Sequence, residues 1–169
     1  MILADYTIRR ALIDGVLTIE PEPQDWQIQP ASVELTLGNQ FMTPYNDTVV
    51  TADKYYMISA GECLLATTAE RVKLGDSLVG RIEGKSSWGR RFLLTHVTAG
   101  FVDPGFDGQL TLELVNLSNV SQVLHVGEPI AQMSFQWTDV TVHRPYGSPE
   151  LGSHYQHQSG VTPSALPWR

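Results

Sequence analysis

Between Gln109 and Asn116 the chain alternates without a break, Leu110, Leu112 and Leu114 falling on one face of an extended segment and Thr111, Glu113 and Val115 on the other. A period of two is what a half-buried β-strand requires, because successive side chains point to opposite sides of a sheet. The same pattern recurs where Val33, Leu35 and Leu37 alternate with Ser32, Glu34 and Thr36, after which Gly38-Asn39 supplies a turn. Ser59-Ala60-Gly61-Glu62 precedes a strand-like Cys63–Thr67, Ser77–Ile82 reads as a further short strand, and Gly127-Glu128-Pro129 breaks the chain before Ile130–Phe135. Many short strands separated by turn residues predict a mainly β chain, a barrel or jelly roll. One helix is readable, near the start: Asp5 is placed to cap it, Ile8, Ala11 and Leu12 share a face, and Gly15 ends it. No repeat of solenoid period is present.

A chain of 169 residues suits one domain with one sizeable core. The β pattern is assigned to residues 1–145. From Tyr146 the composition shifts to Gly, Ser, Pro, His and Gln, and apolar periodicity stops, so residues 146–169 form either a disordered tail or a lid that orders on ligand. No run approaches about 18 consecutive apolar residues, and the first residues lack the basic start and apolar stretch of a secretory signal, so a cytoplasmic protein that does not span a membrane is expected. Cys63 is the single cysteine; it permits no internal disulfide, and its apolar neighbours predict a packed thiol.

The formal net charge of −7 argues against coating a nucleic-acid backbone, which rewards many lysines and arginines. The positive charge is unevenly placed, however. Arg81, Lys85, Arg90 and Arg91 put four of the eleven basic residues within eleven positions, which suits a small anionic ligand or a solvated charged loop.

Three stretches can carry chemistry. Gly84-Lys85-Ser86-Ser87-Trp88-Gly89-Arg90 offers backbone N–H groups, hydroxyls and cations to phosphate oxygens, without the spacing of a P-loop; an ordinary polar turn would look the same. Thr98–Gly108 contains three glycines and a proline, so its backbone can approach the edge of a base, and Phe106 can stack on a flat or sugar-like ligand. Asp103 within it is either a general base for water or the start of an Asx turn. Glu113, mid-strand and opposite the leucines, either faces solvent or lines a cavity as an acid–base group with a raised pKa.

Taken together, Gly84-Lys85-Ser86-Ser87-x-Gly89-Arg90, Thr95-His96-x-Thr98-Ala99-Gly100-Phe101-x-Asp103-Pro104-Gly105-Phe106-x-Gly108 and Thr111-Leu112-Glu113-Leu114-x-Asn116 closely resemble the dCTP deaminase family, which shares its fold with the trimeric dUTPases. The match extends to Gln29–Glu34, Pro145-Tyr146-Gly147 and Gly152-Ser153-x-Tyr155-Gln156-x-Gln158-x-Gly160, and so covers most of the chain. The resemblance implies a dUTPase-like distorted jelly roll with a short N-terminal helix and a flexible C-terminal lid. It also implies a homotrimer with its sites between subunits.

By that resemblance Glu113 handles protons while water attacks C4 of cytosine, Ser86 holds the water, and Arg90 stands beside the glutamate and phosphates. Lys85, Ser87, Tyr146, Tyr155 and Gln158 match substrate-binding positions, mostly toward phosphate. Phe106 lies against the deoxyribose, and His96, Val97, Thr98, Ala99 and Gly100 read the pyrimidine edge. Asp103 matches the aspartate that activates water for attack on the α-phosphorus in dUTPases. Gly100-Phe101 looks like the bifunctional members, where monofunctional deaminases usually carry His-Arg. The implied substrates are dCTP and dUTP, with Mg²⁺ riding on the triphosphate and no protein metal ligands or zinc, and dTTP as candidate feedback inhibitor.

The implied activity is deamination of dCTP followed by hydrolysis to dUMP, pyrophosphate and ammonia. The other readings are a deaminase releasing dUTP, a dCMP deaminase, a dUTPase alone, and a nucleotide-sensing regulator. Three residues depart from the family pattern. His154 stands where a lysine usually reaches the triphosphate, Thr36 replaces a common arginine, and Trp88 replaces a leucine. An imidazole is a weaker partner for phosphate than an ammonium, which bears on how many phosphates the substrate carries.

Overall fold

The computed structural model describes residues 1–45 and 47–166. The last three residues of the tail assigned to 146–169 lie outside that range. Helix α1 (Asp5–Ile13) leads into β1 (Leu17–Glu20), a 3₁₀ turn, β2 (Ile28–Gln29) and the long β3 (Ser32–Met42). Then follow β4 (Val49–Thr51), β5 (Tyr55–Ile58), β6 (Cys63–Leu74) and β7 (Leu78–Gly84). A one-turn α2 (Ser86–Gly89) precedes β8 (Leu93–Leu94), β9 (Phe101–Val102), β10 (Asp107–Asn116), β11 (Gln122–His125) and β12 (Pro129–Trp137).

Among the described residues, ten strands form one sheet whose main path runs β8-β10-β6-β3-β12-β7-β9, with β1 on β6 and β2 and β4 on β3; β11 and β5 make a separate pair. Every strand pairing among the described residues is antiparallel, and register shifts interrupt β10 on β6, β12 on β3 and β3 on β6. Such bulges bend strands and raise their twist, and the sheet curls round a single core. That core takes Leu35, Leu37 and Phe41 from β3, Leu64 and Ala66 from β6, Leu112 and Leu114 from β10, and Met133 and Phe135 from β12. Burying each of these leucines, phenylalanines and the methionine stabilises the fold by roughly 1.5–3 kcal/mol. The mainly β architecture is therefore the expected one, and β10 follows the alternation read from its residues, buried at every even position from Gly108 to Asn116.

Several local expectations fail. Asp5 is not the helix cap: Ala4 occupies that position, and Asp5 lies inside the first turn with its carboxylate on the N–H of Tyr6. Gly38-Asn39 is not a turn, since β3 runs through it to Met42. A Cβ at Gly38 would meet Thr67 Cγ2 at 2.5 Å and Thr67 O at 2.9 Å, so the glycine serves close approach of β3 to β6 at their bulge. Cys63 is half-buried rather than packed in the core.

Two departures from the family pattern have a local account. Thr36 donates its Oγ1–H to Glu70 Oε1 at 2.8 Å, and its backbone N–H and Gln27 Nε2 also reach that carboxylate, which is 2 % exposed. Three donors, making four contacts between them, satisfy a buried carboxylate without a cation. Trp88 is buried under α2, with Nε1–H donating to Pro129 O at 3.1 Å and Arg91 stacked over the ring at 4.9 Å.

The tail runs back along the body. Gly160 N–H donates to Gln109 Oε1 (2.7 Å), Thr162 N–H to Thr111 Oγ1 (3.1 Å), Gln109 N–H to Gln158 O (3.0 Å) and Gln158 Nε2–H to Gln109 O (2.6 Å). No helix among the described residues is long and apolar enough to cross a membrane.

Candidate functional site

Strand alternation that buries Leu112 and Leu114 turns Thr111 and Glu113 to the opposite face, where a cavity of about 450 Å³ opens. Its wall is largely apolar: Leu65, Ile82, Ala99, Phe101, Val102 and Phe106. Asp103, Tyr146, Tyr155 and Gln158 line it as well, and the tail closes one side through Thr162, Pro163 and Ser164.

Glu113 is 32 % exposed and His96 only 9 %, with Nδ1 of the histidine 2.9 Å from Oε2 of the glutamate. The ring is turned so that this is a close contact and not an aligned hydrogen bond. The N–H of Val97 donates to the same oxygen at 3.3 Å. Burial pushes the Glu113 carboxyl up, but His96 and the Val97 N–H together outweigh it and hold the group below the usual carboxylate range. The expected raised value is thus corrected. A cavity alone would have raised it; the imidazole and the Val97 N–H beside one oxygen reverse the sign.

A second cavity, about 470 Å³, shares Asp103, Tyr146 and Tyr155 with the first and adds Arg144 and His154. Asp103 is exposed between the two. The turn at 103–106 is closed by its backbone, Phe106 N–H donating to Asp103 O at 3.2 Å, and the carboxylate makes no hydrogen bond or ion pair among the described residues. An Asx turn therefore does not account for it. Phe106 is 5 % exposed and packs at 5.9 Å from Tyr146, presenting one face to the first cavity.

A third groove, about 550 Å³, is lined by Lys85, Ser86, His96, Thr98, Gly100 and Phe101 with Arg81 and Gln132. Here Lys85 forms an ion pair with Glu34 and Ser86 is exposed. Ser87 and Arg90 are exposed and line none of the three spaces. Within one chain the structure thus gathers Glu113, His96, Ala99, Phe101, Asp103, Phe106, Tyr146, Tyr155 and Gln158 around the first cavity, puts Lys85 and Ser86 in the third groove, which shares Ile82, His96 and Phe101 with that cavity, and leaves Ser87 and Arg90 outside all three. At Gly100 the backbone presses on β7: Ile82 N–H donates to Gly100 O at 2.8 Å, and a Cβ would lie 2.6 Å from Ile82 O. A side chain there would displace the segment that holds His96 and Val97.

Sequence reasoning did not find Arg144, Thr111, Thr162, Pro163 or Ser164. Thr162 to Ser164 carry no local signal, since only the docking of the tail brings them to the cavity. Among the described residues no three His, Cys, Asp or Glu side chains converge as a metal site would require.

Residues 2–138 match the dCTP deaminase-like family. A protein of Methanosphaera stadtmanae named dCTP deaminase, dUMP-forming, is 39 % identical, with 98 % of this chain and 93 % of that protein covered. One of Haloarcula marismortui named dCTP deaminase is 40 % identical, covering 98 % and 95 %. Among solved structures, the 2'-deoxycytidine 5'-triphosphate deaminase of Agrobacterium tumefaciens superposes with TM-score 0.71 at 22 % identity, over 81 % of this chain and 48 % of that one. The native dUTPase of EIAV superposes with TM-score 0.56 at 17 % identity, over 79 % and 98 %, and places the curled sheet among dUTPase-like folds.

Proposed function

This chain belongs to the dCTP deaminase-like family, and from that premise we propose that its first cavity takes the base and deoxyribose of a pyrimidine deoxynucleotide, with Glu113 as the group that moves protons. The reaction is deamination of the cytosine of dCTP followed by hydrolysis of the triphosphate, giving dUMP, pyrophosphate and ammonia. The observation that carries the reading is Glu113 itself. It is a carboxylate held below its usual range by His96 and the Val97 N–H in a largely apolar cavity the size of a nucleoside.

Water is a poor nucleophile, so a base must take its proton as oxygen bonds to C4. An ionised Glu113 accepts that proton and passes it to the ring nitrogen. Glu113 then takes the proton of the new C4 hydroxyl and delivers it to the amine, the C–N bond breaks, ammonia leaves, and C4 becomes a carbonyl. Acid–base help of this kind contributes roughly 10²–10⁴-fold, and positioning supplies much of the rest. Phe106 against the sugar leaves little room for a 2′-hydroxyl. In the second step Asp103 takes a proton from water attacking the α-phosphorus, and the bond to the pyrophosphate oxygen breaks. Its exposed carboxylate, free of other bonds, between the two cavities supports that role. Magnesium, carried by the substrate, supplies charge neutralisation at the phosphates when bound.

Ser86, Ser87, Lys85 and Arg90 reach a site of this kind by facing Glu113 of a neighbouring copy in a homotrimer. dTTP shares the deoxyribose and triphosphate, and so fits the same spaces as a competing regulator.

The experiment is product analysis after incubation with dCTP and Mg²⁺. The expected result is dUMP, pyrophosphate and ammonia with little free dUTP. Accumulating dUTP would reduce Asp103 to a structural residue and leave a simple deaminase; untouched dCTP would overturn the reading.

A further inference from the structure

The second cavity is a built space. Its walls are fixed to the body by Val142 N–H on Asp76 O (2.9 Å) and Tyr146 N–H on Pro104 O (2.8 Å). Gln156 adds two more ties, its Nε2–H on Gly105 O (2.9 Å) and its Oε1 under the N–H of Asp107 (3.1 Å). Tyr155 N–H on the Tyr146 hydroxyl (3.1 Å) joins the two sides of the tail. Into this space the chain delivers Arg144, whose guanidinium makes no hydrogen bond or ion pair among the described residues, and His154, edge-on to Tyr155 at 6.1 Å. Within the same chain the other cations are engaged or absent from this space: Lys85 is paired with Glu34, and Arg90 lines neither cavity that Asp103 lines, so on the proposed assembly both reach the nucleotide only from a neighbouring copy. Asp103 marks the junction. A nucleotide with its base at Glu113 and its sugar at Phe106 brings the α-phosphorus to that junction, and the rest of its phosphate chain continues into the second cavity.

We infer that Arg144 reads the β- and γ-phosphates there, and so sets the preference of this protein for a triphosphate over a monophosphate. The inference rests on the first cavity being the pyrimidine deoxynucleotide site. A guanidinium presents a planar fork of donors that matches two phosphate oxygens at once, which an imidazole at position 154 cannot do. The same contact holds pyrophosphate as it leaves.

The test is calorimetric binding of dUMP and of a non-hydrolysable α,β-imido dUTP, each with Mg²⁺, to the parent protein and to Arg144→Ala and Arg144→Lys. Arg144 is exposed, so both variants should fold. The expected result is that Arg144→Ala weakens the imido-triphosphate roughly tenfold or more and leaves dUMP unchanged, with Arg144→Lys recovering part of the loss. Equal weakening of both ligands, or of neither, would overturn the inference. If the parent binds dUMP and the analogue with equal affinity, the second cavity reads no phosphate and the inference fails while the deaminase reading stands. If the parent binds neither, both fall.

Discussion

A carboxylate that takes a proton from water has to be ionised before the substrate arrives. Glu113 meets that condition because His96 and the Val97 N–H outweigh the effect of its burial. The acid limb of kcat/KM for ammonia release should therefore lie at or below the ordinary carboxylate range, well away from neutrality, and a pH–rate profile of the free enzyme measures it. Removing the imidazole with His96→Leu should move that limb upward; an unmoved limb would mean that another group titrates. The same depression bears on stability. The folded value lies below the unfolded one, so the contact contributes above the unfolded carboxylate range and is lost as the pH falls through the depressed value. The two carboxylates also divide the reaction. Glu113→Gln should abolish ammonia release from dCTP while sparing hydrolysis of dUTP, and Asp103→Asn should do the reverse, so that dUTP accumulates. Separate assays of ammonia and pyrophosphate check both, and loss of both activities in either variant would show that the chemistries are not separable.

At the scale of elements, β10 and β3 show what a sequence can and cannot disclose. β10 was legible because a strict period of two survives in its residues and places Glu113 opposite the buried leucines. In β3, Gly38-Asn39 reads as a turn because glycine followed by asparagine is ordinary turn chemistry, whereas in the fold the glycine answers to a neighbour far along the chain. Gly38→Val should force Cβ into Thr67 and Thr68, whose backbone cannot yield cheaply. A loss of about 1–3 kcal/mol is expected in denaturant unfolding, with the m-value unchanged. The tail was illegible for the same reason as Gly38: Gln109 and Thr111 hold it through contacts some fifty residues apart in sequence. The family motifs carried Glu113, Asp103, Phe106 and the tail tyrosines to the site without any of this geometry. They did not carry the sign of the Glu113 shift, which depends on where one histidine ring lies.

For the whole molecule the decisive fact is the separation of the motifs. Glu113 and Asp103 open onto the first cavity, Ser86 opens onto the third groove, which meets that cavity only through Ile82, His96 and Phe101, and Ser87 and Arg90 line neither. Either the Ser86 segment has no part in the reaction, or a second copy supplies it. Closed cyclic assembly meets the second condition, since each of three identical interfaces would join Glu113 of one subunit to Ser86 of the next. The two possibilities separate in a mixing experiment. Glu113→Gln and Ser86→Ala should each be inactive alone as deaminases. Co-expressed in equal amounts and assembled at random, an interface is intact only when one side keeps its glutamate and the other its serine. About a quarter of the interfaces satisfy that, so about a quarter of the parental ammonia-release activity should return. Mixed assemblies with no activity would place both residues of each site on one subunit. Full activity of Ser86→Ala by itself would remove the segment from the mechanism, and a monomer by light scattering would remove the shared site.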